Sequence, residues 1–372
     1  MKARKFRLDQ FPLVSVVMCV RDGEQYLGEA IRSILNQTYR HFEFIIVNDG
    51  STDGTASILD RLQIEDDRIR VFHQEKKGIY FSANKGCRLA KGKYIARFDA
   101  DDIAFPERLE RQVTFLEQNA DIAALGTAAI QINPQGQPIT TFIPPVSANQ
   151  IKAVIRHWDP LVQPTVMMHK ATFEAVNGYQ ETYELCGDYD LWIRISERFK
   201  LANLPEPLLY WRMHSEEVTN RNIRQHTIYK LIAQKSARLR QKTGKNVLES
   251  VEKITPSVLK TLGISENHIS KALVEGCYLR AYMMLEAGDT ENAQRYFNEI
   301  LTASHSNGWR KRMALRLCRL YTHSYKKQTQ LLRNILIFSW AVCIKFSVVL
   351  LLIRLKFRFF IHNNIRLQTS LP

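Results

Sequence analysis

The first hundred residues alternate short apolar runs with amphipathic segments, and that alternation leaves few folds open. Val14–Val20 is a near-continuous apolar run, short enough for a strand buried on both faces. Residues 26–35 follow with apolar side chains at 27, 30, 31, 34 and 35, one face of a helix. The pattern repeats: strand 42–47, helix around Ile58, Leu59 and Leu62, strand 69–72, helix from Gly78 to Ala90, strand 94–98. Strands and helices in this order imply right-handed crossovers and a parallel sheet. The polar clusters at 21–24, 48–53 and 99–102 each follow a strand. In an open parallel sheet those ends share one edge, where ligands bind.

Residues 93–102 read KYIARFDADD, with Asp99, Asp101 and Asp102 crowded beyond strand 94–98. Carboxylates this close repel one another unless a cation sits among them. Oxygen donors suit a hard ion, Mg²⁺ or Mn²⁺, which keeps waters and takes the rest of its shell from substrate phosphates. Alone, the same residues would equally make a solvated acidic turn with Asp102 or a neighbour as N-cap. Three polar loops at one sheet edge favour a binding crevice.

A chain of 372 residues accommodates one domain of about 200–250 residues and an appendage. The net charge of +15 would suit nucleic acid, an anionic membrane surface or an anionic substrate. The excess lies mostly after residue 300, and no aromatic-interleaved basic groove or nucleic-acid motif accompanies it, so no nucleic-acid partner is expected. Cysteines 19, 87, 186, 277, 318 and 343 are widely separated, which disfavours zinc and a disulfide framework and suits a reducing compartment. The N-terminus is basic but lacks an A-x-A-like cleavage site, and reads as mature structure.

Beyond Pro106 the sequence predicts a helix over 107–118, strands at 122–125 and 128–132, and a hairpin turn at 134–137. A helix at 151–157 and a short strand ending at Met168 follow. Cys186-Gly187-Asp188-Tyr189-Asp190 precedes a helix at 191–199, and a strand at 208–211 delivers Arg212 and His214.

These pieces together resemble the family 2 glycosyltransferases, inverting enzymes of the GT-A fold that use nucleotide-diphospho sugars. The matching segments are SVVMCVRDGEQYL (15–27), IIVNDGSTDGT (45–55), KGKYIARFDADDIAFPERLERQVTFLE (91–117), QPTVMMHK (163–170), GDYDLWIR (187–194) and NLPEPLLYWRMH (203–214). The resemblance implies an α/β fold: a GT-A-type nucleotide-binding parallel or mixed sheet flanked by helices, here with an α-helical C-terminal extension. It implies that Asp49 holds the nucleotide base or ribose, that Val20 and Arg21 flank the base, and that Glu24 lies beside that pocket. Asp99 would contact ribose or a metal-bound water, Asp101 would ligate Mn²⁺ or Mg²⁺ bridging the phosphates, and His214 would lie near the metal or the pyrophosphate. Asp188 matches the base that takes the acceptor's proton; on its own it would read as a helix N-cap. Gly187 stands where the family usually has Glu, and Ala83 where it often has Arg, with Lys85 and Arg97 the nearby cations. The expected partners are a nucleotide-diphospho sugar, most commonly a UDP-sugar, and a glycan or lipid-linked acceptor in surface polysaccharide synthesis. The competing reading is a non-catalytic, basic membrane-binding protein on a degenerate transferase fold.

Three regions are expected: a catalytic domain at 1–220, a helical extension at 221–305 and a basic apolar segment at 306–372. Within the extension, residues 247–262 read as a helix interrupted near Pro256, and 269–302 as a helix–turn–helix in which 276–301 resembles a single tetratricopeptide unit and reads equally as an ordinary helical hairpin packed on the catalytic domain. Residues 335–353 are nearly all apolar, with Lys345 near the middle and cations on both flanks. A buried core helix is a third reading of this stretch, but its flanks suit an interfacial helix, and the length also permits a span. Either would hold the enzyme at the cytoplasmic membrane face, with each nearby cation worth about 1 kcal/mol on anionic lipid.

Overall fold

The computed structural model describes residues 11–214, 222–249, 251–286 and 290–302. Strands β1 (Val14–Val20), β2 (Phe42–Asp49), β3 (Ile69–Gln74) and β4 (Tyr94–Asp99) run parallel in the order β3-β2-β1-β4. Helices α1 (Glu24–Leu35), α2 (Thr55–Glu65) and α3 (Ile79–Leu89) make the crossovers. The sheet then turns mixed. The two-residue β5 (Ile103–Ala104) and helix α4 (Arg108–Gln118) lead into β6 (Ile122–Ile132), which folds back through the 134–137 turn onto β7 (Pro138–Phe142). Helix α5 (Ala148–Val154) and a 3-10 turn at Gln163–Thr165 precede β8 (Met167–His169), antiparallel to both β4 and β6. After α6 (Lys170–Ala175) and α7 (Gly187–Ser196), β9 (Lys200–Arg212) runs parallel to β6 and pairs β5 at its far end.

The sheet separates two apolar layers. On one face Val16, Met18, Phe44 and Ile46 pack with Leu27, Ile31 and Ile34 of α1, Leu59 of α2 and Leu109 of α4. On the other, Val17, Ile45 and Ile95 pack with Tyr80 and Cys87 of α3 and Trp192 of α7. Helix α8 (Ile223–Thr243) belongs to that second layer through Tyr229, Ile232, Ala233 and Ala237, so one core runs across residue 221. Helices α10 (Glu266–Glu286) and α11 (Thr290–Thr302) form a hairpin that packs Leu273, Val274, Cys277 and Phe297 against Met213 at the end of β9.

Three expectations need correction. Residues 122–132 are one strand, the gap at Gly126 being a place where β9 approaches closely: a Cβ there would strike the Asn203 side chain. Strand β9 spans thirteen residues, because Pro205 and Glu206 are absorbed in a register shift rather than ending the pairing. Of the helix expected at 247–262, only α9 (Pro256–Thr261) forms, with Pro256 in its first turn. Residues 335–353 lie outside the described residues. Among the described residues no helix is long and apolar enough to cross a membrane.

Candidate functional site

The loops after β1 and β2 are laced together before any ligand is considered. Thr52 N–H donates to Asp22 Oδ1 (2.7 Å), Gly23 N–H to Thr55 Oγ1 (2.9 Å) and Glu24 N–H to Asp53 Oδ2 (3.1 Å). Glu24 itself accepts from Gly54 N–H at the start of α2. Its carboxylate therefore caps a helix and braces the two loops. Arg21, beside the buried Val20, is half-exposed and lies 3.6 Å from Asp22, an ion pair worth little in water.

Asp49 ends β2 almost fully buried. Its oxygens accept from Lys77 N–H (2.8 Å), Gly78 N–H (2.9 Å) and Gln74 Nε2 (2.9 Å). Burial pushes this carboxyl up, but these donors and Ser82 outweigh it and hold it below the usual range. The fold places Gly50 directly after it with φ +69°, where a Cβ would meet the Lys76 backbone. Asp49 thus organises the loop leading to α3.

The acidic cluster stands at the carboxyl end of β4. Asp99 keeps 32% of its side-chain surface accessible, yet protein walls it in; the fully buried Arg97 places Nη2 4.0 Å from Asp99 Oδ1. Burial raises the Asp99 carboxyl to about 6, with the charges of Asp101 and Asp188 adding to the rise and Arg97 opposing it. Asp101 Oδ2 lies 3.0 Å from His214 Nε2, which donates to it when protonated. Asp102 is buried and accepts from Arg212 N–H (2.9 Å), fixing the end of β9. Arg212 Nε donates in turn to the Asp101 carbonyl (2.9 Å), so the strand that delivers His214 is tied to the loop that carries Asp101.

Asp188 falls inside the first turn of α7, not before it. Burial raises its carboxyl above the usual range, against the pull of the Tyr189 and Asp188 N–H groups, Tyr80 and Arg97. Tyr80 Oη donates to Asp188 Oδ1 (3.3 Å). Asp159, whose Oδ1 accepts from Leu161 N–H, is pushed well up by burial and by the Asp188 charge. The charges of Asp101 and Asp188 thus both act on Asp99, and Asp101 in turn contacts His214.

Sequence reasoning passed over Tyr80 and Asp159, which no local pattern connects to Asp188. It left Lys85 and Arg97 as equal candidates for a nearby cation. The fold separates them: Lys85 Nζ donates to Gln74 (3.0 Å), whereas Arg97 lies beneath Asp99. Asn84 and Tyr179 exchange hydrogen bonds, Nδ2 to O and N–H to Oδ1, both 2.9 Å, which ties α3 to the loop before α7.

The mixed α/β sheet thus carries an acidic cluster at the carboxyl end of β4 and a further carboxylate in the first turn of α7. Residues 15–173 match the profile of glycosyl transferase family 2. An uncharacterized glycosyltransferase of Haemophilus influenzae is 35% identical over 223 residues, covering 57% of this chain and 69% of the relative. An O-antigen biosynthesis glycosyltransferase of Escherichia coli, WbnJ, is 34% identical over 213 residues, covering 55% of this chain and 81% of the relative. The solved S. aureus TarS 1-349 with UDP-GlcNAc is similar at 16% identity and a TM-score of 0.49, covering 76% of this chain and 90% of that one. The chain belongs to glycosyl transferase family 2 and is a glycosyltransferase.

Proposed function

We propose that this glycosyltransferase is metal-dependent and inverting, and moves a sugar from a nucleotide-diphospho sugar to a glycan or lipid-linked acceptor in surface polysaccharide synthesis. The observations that carry the reading are the Asp101–His214 contact beyond β4 and the buried Asp99 carboxyl, on which the charges of Asp101 and Asp188 both act.

The donor set fits a hard divalent ion of limited protein ligation. Among the described residues no three or more His, Cys, Asp or Glu side chains are grouped so that they could hold a metal ion by themselves, so substrate and water must supply most of the shell. Asp101 and His214 offer one carboxylate and one imidazole, 3.0 Å apart, and Asp99 is a raised carboxyl that a neighbouring cation would return to its charged form. Mn²⁺ or Mg²⁺ held there would draw its remaining ligands from diphosphate and water and neutralise the charge of the departing diphosphate. Asp49, through the β3–α3 loop it fixes, and Val20 and Arg21 form the wall for base and ribose. Glu24 acts by bracing that wall. Asp188 takes the proton of the acceptor hydroxyl as it attacks the anomeric carbon from the opposite face, and no covalent protein nucleophile is needed.

The acceptor class rests on two supports. WbnJ is named for O-antigen biosynthesis. The basic, apolar stretch at 335–353 suits a membrane-borne acceptor, at the cytoplasmic face as a peripheral or single-span protein.

Calorimetric titration with UDP, dTDP and GDP, first with Mn²⁺ and then with EDTA, tests the donor site. One nucleotide is expected to bind well with metal, and to bind poorly with EDTA or to Asp101→Ala. A folded protein that binds none of the three would return the chain to the reading of a non-catalytic module.

A further inference from the structure

Gly187 opens α7 immediately before Asp188, and the space a side chain would occupy there is already filled. A Cβ built on Gly187 would lie 2.7–2.9 Å from three atoms of the Tyr80 ring, a distance that real Cβ atoms do not sustain. The ring cannot yield easily: Tyr80 is 6% exposed and stacks on Tyr179, centroids 5.3 Å apart and planes 29° from parallel. Tyr179 is itself fixed by its exchange of hydrogen bonds with Asn84, one turn along α3 from Tyr80. So held, the phenol hydroxyl ends 3.3 Å from Asp188 Oδ1. The backbone N–H groups of Gly187 and Asp188 also face the phenol oxygen.

We infer that Tyr80 is a positioning residue for Asp188, and that Gly187 is glycine because any side chain there would push the Tyr80 hydroxyl away from that carboxylate. The inference rests on Asp188 being the base. The hydroxyl donates to one oxygen of Asp188, turning the other toward the crevice, and favours the ionised form that accepts a proton. Burial and the Asp188 charge hold the phenol well above its usual range, so it remains a donor at every working pH. The other groups whose fields reach Asp188 are Asp159, Asp99, Arg97, Cys186 and Tyr179, and all stay unchanged when Tyr80 loses only its oxygen.

The test uses the full chain, Mn²⁺ and a panel of UDP-, dTDP- and GDP-sugars, following nucleotide release with water as acceptor for whichever donor turns over. Tyr80→Phe is expected to bind nucleotide as wild type does and to lower kcat about tenfold, in line with loss of a hydrogen bond to a charged group. The acid limb of its rate profile should move to higher pH, because Asp188 loses a donor that favours its carboxylate. Gly187→Ala should match or exceed that loss. In Gly187→Ala/Tyr80→Leu the smaller side chain makes room, so thermal stability should recover while the rate stays at the Tyr80→Phe level. A wild-type rate and pH profile in Tyr80→Phe, or full recovery of rate in the double variant, would overturn the inference. Asp188→Asn in the same assay separates the two readings: near-normal turnover there removes Asp188 from the mechanism, whereas an inactive Asp188→Asn beside a fully active Tyr80→Phe removes Tyr80 alone.

Discussion

Asp99 is a residue whose charged form the fold does not favour. Its carboxyl is raised to about 6 by burial and by the charges of Asp101 and Asp188. A carboxyl raised in the folded state holds its proton longer there than in the unfolded chain. Its contribution to stability is therefore fully present below about pH 4 and lost as pH rises through about 6. Asp99→Asn should accordingly stabilise the metal-free protein at pH 7.5, by about 1 kcal/mol once solvent screening of a partly accessible side chain is allowed for. The gain should vanish near pH 4. Scanning calorimetry in EDTA at both pH values decides, and an equal gain at both would mean that the charge on Asp99 is not the cause. The sequence singles out Asp49, Asp99, Asp101, Asp188 and His214 because each sits in a short motif. Tyr80 and Asp159 were hidden because their link to Asp188 is made by packing between distant segments. The capping role of Glu24 was hidden for the same reason, since its partner Gly54 is brought to it by the second crossover.

At the scale of elements, the parallel strands were legible because each is a short apolar run buried on both faces. The mixed half was less so. Strand β9 carries two prolines and a glutamate in its middle, and only its pairing with β6 across a register shift makes it one strand. What fixes its functional end is Arg212, 3% exposed. The Arg212 backbone N–H donates to Asp102; its guanidinium donates to the Asp101 and Pro134 carbonyls and pairs with Glu29 at 2.7 Å. Arg212→Met keeps the length and the backbone bond but leaves the part-buried Asp101 and Pro134 carbonyls without their donor. It should cost roughly 2–3 kcal/mol in urea denaturation. It should also weaken metal-dependent nucleotide binding, because His214 and Asp101 then lose their common tether. Glu29→Gln is the control: Glu29 is mostly exposed, so that change should stay within about 0.5 kcal/mol. Unaltered binding in a destabilised Arg212→Met would show that the tether serves the fold alone.

For the whole molecule, the question is where the catalytic unit ends. The sequence motifs that resemble the family end at His214, but the apolar layer over α3 and α7 does not. Ile232, Ala233 and Ala237 of α8 are fully buried in it, and the α10–α11 hairpin covers Met213. Large apolar side chains contribute about 1.5–3 kcal/mol each when buried. Losing α8 and the hairpin would thus remove an amount comparable to the whole 5–15 kcal/mol that keeps an ordinary domain folded. A chain ending at His214 should be insoluble or molten by near-ultraviolet circular dichroism. A chain ending at Ser304 retains every described helix and should fold and bind nucleotide as the full chain does. The same pair of lengths tests membrane attachment, because the Lys- and Arg-rich stretch and residues 335–353 are absent from the shorter chain. In flotation with vesicles containing anionic lipid, the full chain should rise with the lipid and the chain ending at Ser304 should stay below. Release of the full chain by high salt would assign the attachment to charge at the interface, since salt screens surface attraction but leaves an inserted apolar helix in place. If both lengths remain below the lipid, attachment is excluded, and the acceptor must reach the site without a shared membrane surface.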